Sequence, residues 1–149
     1  MSIKEKLYRA CFDFASQRIK ALNDAQKELS EDAGSESKSS AGDKHETGRA
    51  MMQLEQEKNA EQLTKANELL KAMEKIDPSI ASDKVALGSL VITNRGSFYI
   101  AISAGKINID SKEYFAVSPQ APIAVKLAGA KQKDKIQFNG VEYLVEEVR

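Results

Sequence analysis

No aromatic residue lies between Phe14 and Phe98. A stretch of that kind cannot easily build a globular core, because aromatic rings carry much of the buried area of small domains. A seam between two helices, made of Leu, Met, Ile and Ala, needs none. From about Ser2 to Ala33, the apolar residues Ile3, Leu7, Cys11, Phe14, Ile19, Leu22, Ala25 and Leu29 recur at helical spacing, with Lys, Arg, Glu and Asp on the other faces. Ala33-Gly34-Ser35 predicts the stop, and the Ser/Gly-rich stretch Gly34 to Gly42 reads as a loop. A second pattern runs from about Asp43 to Ile76 through Ala50, Leu54, Leu63, Ala66, Leu70 and Met73, with Met51 and Met52 expected beside the seam. Asp77-Pro78 closes it, since the residue before a proline disfavours the α conformation. Each helix would be about 45 Å long at about 1.5 Å per residue. Two such helices joined by a short loop fold back as an antiparallel coiled coil.

After Pro78 the period changes. Val85 to Thr93, Ser97 to Ser103 and Lys106 to Asp110 read as short strands, with Asn94-Arg95-Gly96 as a turn. In Ile136-Gln137-Phe138-Asn139-Gly140-Val141-Glu142-Tyr143-Leu144-Val145, Asn-Gly between alternating apolar residues marks a two-residue hairpin with a type I′ turn. Ala121 to Ala128 suits one short helix with Pro122 in its first turn and Gly129 at its end. The fold class is therefore α+β. Residues 1–77 form an antiparallel coiled-coil hairpin with a tip loop at about 34–46, and residues 78–149 form a small antiparallel sheet domain with one short helix.

Composition narrows the function. Lys+Arg and Asp+Glu both number 22, which argues against strong nonspecific DNA binding. One cysteine, Cys11, permits no intrachain disulfide, and one Cys with one His cannot make a four-ligand Cys/His zinc site. No apolar run approaches the roughly 20 residues of a membrane span, and the N-terminus lacks the apolar core of a signal peptide. The chain reads as a soluble cytoplasmic protein with no membrane partner. Cys11 falls on the apolar stripe and reads as a buried structural thiol. The single histidine, His45, reads as a solvated loop residue, so no acid–His set supports a hydrolase built on Ser39 or Ser40.

Asp43 and Glu46 permit two readings. In one they form a capping box: Asp43 accepts from a backbone N–H two or three residues on, and Glu46 reaches back to the N-cap amide. In the other, two carboxylates three residues apart lie on one face of a first helical turn and share one hard cation or its bound water. Mg²⁺ is commonly held by only one or two protein carboxylates, with water and substrate phosphates completing the shell. Such a tip acts only where another site supplies the remaining ligands. Lys44 and Arg49 flank the acids and are placed to steer the tip towards RNA or an acidic protein surface.

The motif Gly42-Asp43-Lys44-His45-Glu46 resembles the G-D-x-x-E tip of the Gre family, the transcript-cleavage factors of bacterial RNA polymerase. A second likeness runs from Ala121-Pro122-Ile123-Ala124 through Leu127 and Gly129 to Asp134, where the family has S-P-I-A, a Leu, a Gly and a Gly-Asp or Asp-Asp pair. The closing Gly140-Val141-Glu142-Tyr143-Leu144-Val145 is similar to the family's G-x-E-Y-x-V end. Departures mark a divergent member: Thr47-Gly48 replaces Asn-Ala after the tip, Ala121 replaces the Ser before Pro122, and Lys133 replaces the Gly before Asp134.

The resemblance implies an FKBP-like second half and an accessory factor rather than an enzyme. Its coiled coil would enter the secondary channel of a backtracked RNA polymerase, where the RNA 3′ end protrudes. Asp43 and Glu46 would hold a Mg²⁺ shared with the polymerase, which then hydrolyses its own transcript. Pro122 and Ile123 match the family's polymerase-contact motif. Two other functions stay open: a channel-binding regulator that does not stimulate cleavage, and a peptidyl-prolyl isomerase built on the FKBP-like half. Oligomeric state is also open, because an exposed coiled coil can pair with another copy.

Overall fold

The computed structural model describes the backbone of residues 1–37 and 42–149 and the side chains of residues 1–31 and 47–149. The chain divides into two compact units, Met1–Phe14 with Lys71–Arg149, and Ala15–Leu70. Helix α1 (Ile3–Ser37) and helix α2 (Gly42–Glu74) each contribute to both.

The Ala15–Leu70 unit is the paired part of the two helices. On α1 the half-buried positions Ile19, Leu22, Ala25 and Leu29 are those of the apolar stripe. The stop expected at Gly34 does not occur, and α1 continues to Ser37. A glycine ends a helix where the chain turns left-handed there; inside a continuing helix it costs only about 1 kcal/mol relative to Ala. The stripe on α2 also differs from expectation. Ala50 is exposed, and Leu54 and Met51 are 65% and 63% exposed, so neither Leu54 nor Met51 packs in the seam. Ala66 is buried as expected, and Asn59, which the pattern did not include, is buried as well. Asn59 Nδ2 donates to Leu22 O at 2.9 Å and to Gln26 Oε1 at 3.0 Å, which satisfies the buried amide. A polar residue at one seam position fixes the register of two helices at some cost in stability.

In the other unit, the start of α1 buries Leu7 and Cys11 completely. Its Lys6 ammonium meets Asp110 Oδ2 at 2.9 Å. The sheet comprises β1 (Leu90–Thr93), β2 (Gly96–Ile100), β3 (Gly105–Ile109), β4 (Lys112–Val117), β5 (Lys135–Phe138) and β6 (Val141–Val148), in the order β3-β4-β2-β1-β6-β5. It is mostly antiparallel, but β2 and β4 pair in parallel. That pair follows from the path of the chain. After β2 the chain moves out to the edge as β3, then returns through a hairpin into the slot beside β2.

The sequence pattern missed β4. Its hairpin loop is Asp110-Ser111, both with positive φ (51° and 67°), a type I′ geometry achieved without the usual glycine. The Asn139-Gly140 turn has φ of 51° and 75°, as its sequence predicts. The segment before β1 is not strand. Val85 instead exchanges backbone bonds with the chain after α3 (Pro122–Leu127): Val85 N donates to Ala130 O at 2.9 Å and Gly129 N to Val85 O at 2.8 Å. Gly88 turns the chain at φ 86°, and a Cβ there would meet Ile76 Cγ2 at 3.1 Å.

One face of the sheet forms a core with α3, through Val85, Val91, Ile100, Ala124, Leu127, Ala130 and Val145. Tyr99 is fully buried, and its hydroxyl has no hydrogen-bond partner among the described residues. Burial first, then the neighbouring Cys11 and Tyr8, push this phenol's pKa up.

Two stability predictions follow from this packing. An orphaned buried hydroxyl costs about 1–3 kcal/mol, so Tyr99→Phe should leave the urea unfolding midpoint unchanged or raise it; a clear fall would reveal a partner for that oxygen. Lys133 holds φ 78° while its N–H donates to Val145 O at 2.7 Å. Left-handed backbone costs a non-glycine residue about 1–2 kcal/mol. Lys133→Gly should therefore stabilise by roughly 0.5–1 kcal/mol after the added chain entropy of glycine, read from the same unfolding curve. Lower stability in that variant would mean that the lysine side chain contributes more than its backbone costs.

Candidate functional site

Helix α2 opens at Gly42, so Asp43, Lys44 and Glu46 belong to its first two turns. Their side chains and that of His45 lie outside the described residues, and with them the choice between capping box and metal ligands. The helical backbone sets what the pair can do. Positions three apart are neighbours on a helix surface, and carboxylates at a helix N-terminus are favoured by the partial positive charge of its free N–H groups. Such a pair suits a hard cation chemically but supplies too few ligands to hold Mg²⁺ alone. Among the described residues no cluster of three His, Cys, Asp or Glu side chains could hold a metal ion.

The helix runs unbroken through Thr47-Gly48, where the Gre pattern has Asn-Ala. Arg49 is exposed one turn further on. Just beyond it Met51, Met52, Leu54, Glu55 and Lys58 line a shallow surface hollow of about 290 Å³.

Pro122 and Ile123 belong to the other unit. Pro122 is the first residue of α3 and is exposed, whereas Ile123 packs against the sheet core. Ala121 occupies the N-cap and makes no side-chain hydrogen bond to the helix. A Ser in that place would supply a cap of about 1 kcal/mol. Gly129 takes φ 77° after the helix, as a terminating glycine should.

Cys11 is buried, and burial pushes its thiol up to about 12. A thiol of that kind stays protonated at neutral pH, unlike a nucleophile, which needs a lowered pKa. The four rings Phe98, Phe115, Tyr143 and Phe138 contact one another in a chain, with neighbouring centroids 5.9–6.4 Å apart, and each is half-buried. The sequence reading missed Lys4, whose side chain is 7% exposed. The signal was present: Lys4 stands three residues before Leu7 and seven before Cys11, on the apolar stripe.

Among the described residues no helix is long and apolar enough to cross a membrane. No family model and no curated protein sequence matches the chain. Solved structures do. One is a structure of the transcription factor Gfh1, with 15% sequence identity over 92% of this chain and 92% of that one, at a TM-score of 0.39. Another is a crystal structure of GreA factor homologue 1 (Gfh1) of Thermus thermophilus, with 13% identity over 93% of this chain and 94% of that one, at a TM-score of 0.35.

Proposed function

We propose that this chain is a Gre-like accessory factor of bacterial RNA polymerase, which places its helical hairpin in the secondary channel and stimulates cleavage of backtracked RNA. The observation that carries the reading is the position of Asp43 and Glu46. They belong to the opening turns of the second of two long helices. A pair of acids there would complete a metal shell begun by another protein.

The second half supports the same reading. Lys133, which stands where the family motif has Gly, adopts the positive φ that glycine takes without penalty. The turn here therefore takes a conformation that suits glycine, at a residue that does not favour it. Pro122 is exposed and offers a contact to the polymerase, while Ile123 supports it from the core side.

In mechanism, Asp43 and Glu46 would hold the Mg²⁺ shared with the polymerase and orient the attacking water by accepting its hydrogen bonds. When bound, the metal supplies charge stabilisation to the attacking and leaving oxygens of the phosphodiester. Lys44 and Arg49 would draw the tip towards the RNA phosphates. The polymerase, not this chain, performs the hydrolysis.

The test is a stalled, backtracked elongation complex with Mg²⁺ present. Adding the protein should shorten the RNA. Asp43→Ala and Glu46→Ala should each slow that shortening by about 100-fold, the scale for removing one group that stabilises developing charge, while polymerase binding is kept. Binding without shortening by the unaltered protein would identify a channel regulator instead. Proline-isomer turnover without any polymerase binding would remove the proposal altogether.

A further inference from the structure

The base of α1 carries a charge that no carboxylate of the fold neutralises. Buried lysines are ordinarily paired. Lys4 Nζ donates to Ile80 O at 2.7 Å, yet no carboxylate oxygen lies within ion-pair distance of it among the described residues. The carboxylate whose field reaches it, Asp77, is exposed and already accepts from Ser79 N at 2.9 Å and Ser79 Oγ at 2.5 Å.

Lys4 borders a cavity of about 190 Å³, together with Ser2, Ile3, Pro78, Ile80 and Arg149. No acidic side chain lines it. Helix α1 begins at this point. Ser2 accepts from Glu5 N through Oγ at 3.1 Å and from Lys6 N through its carbonyl at 3.0 Å. The amides of Ile3 and Lys4 precede the first intrahelical bond and stay open to a ligand, at the positive end of a 35-residue helix. Arg149 stands at the rim. It holds Glu147 through Nε and one terminal nitrogen, at 2.8 and 3.2 Å, which leaves its other terminal nitrogen free to donate. The charged side chains that line the space, Lys4 and Arg149, are thus both cationic. One water takes about 30 Å³, so the cavity has room for a tetrahedral oxyanion with part of its hydration.

We propose that this cavity binds a single phosphate group, held by the Lys4 ammonium, the Arg149 guanidinium and the open amides at the start of α1. A phosphate matches the arrangement because it offers several acceptor oxygens to donors converging from different directions. A second cavity of about 180 Å³, also bordered by Lys4, is lined by Asp77 as well as Lys75. The acid there would repel the same ligand, so the anion is assigned to the first. The inference does not depend on the polymerase reading.

The test uses the full chain, titrated at constant ionic strength with inorganic phosphate and, separately, with a nucleoside monophosphate. The amide resonances of Ile3, Lys4 and Ile80 are followed. Saturable shifts at these three residues support the site. Saturation with inorganic phosphate alone identifies a free-anion site, and saturation with both identifies the phosphate of a larger ligand. Lys4→Met and Arg149→Gln should each weaken binding at least tenfold; if Lys4→Met does not fold, Arg149→Gln carries the comparison. Linear, non-saturating shifts that chloride reproduces would overturn the proposal, as would saturable binding unchanged in the folded variants.

Discussion

The apolar stripe of α1 is the constraint on which everything else depends. A single helix with one continuous stripe serves two different partners along its length. Near its start Leu7 and Cys11 are buried completely in the sheet-bearing unit, and further on Ile19, Leu22, Ala25 and Leu29 meet α2. Fully burying one such Leu contributes about 1.5–3 kcal/mol. Polar substitution at Leu7 or Cys11 would therefore act on the sheet unit, and substitution at Leu22 on the helix pair. The stripe also explains why Cys11 is inert. A thiol placed to pack is desolvated, and desolvation disfavours its nucleophilic form.

Specificity in the helix pair comes from a different source. A seam of Leu and Ala alone would tolerate sliding, because apolar contacts have no direction. Asn59 adds direction, since its amide reaches both Leu22 O and Gln26 Oε1 and a shift by one turn would break both bonds. Register matters for the proposed function. A tip that delivers two carboxylates to another enzyme's metal must arrive at a fixed height, and sliding between the helices would displace Asp43 and Glu46 along the axis.

Much of this fold was legible in the sequence where local chemistry and tertiary packing agree. The α1 stripe, the Pro122 helix start, the Gly129 stop and the Asn139-Gly140 turn all carry their signal in a few adjacent residues. Elsewhere the signal was non-local. β4 was missed because Asp110-Ser111 makes a left-handed turn that composition assigns to glycine. Val85 resembles a strand residue, but its partner is the chain after α3, which no period along the sequence announces. On α2, Leu54 and Met51 are apolar by type, yet Leu54 stands nine residues before Leu63 and so about half a turn out of phase with it, whereas Asn59, seven before Ala66, shares the buried face. The candidate tip was legible as a motif, while the position of its side chains falls outside the described residues.

The departures from the Gre pattern are informative in the same physical terms. Ala121 forgoes a cap, and Lys133 bears a left-handed backbone, yet the helix and the turn they belong to both persist. Each penalty is about 1 kcal/mol, small beside the burial of Leu127, Val145 and their neighbours in the adjoining core. Packing holds the geometry where the local side chain does not favour it.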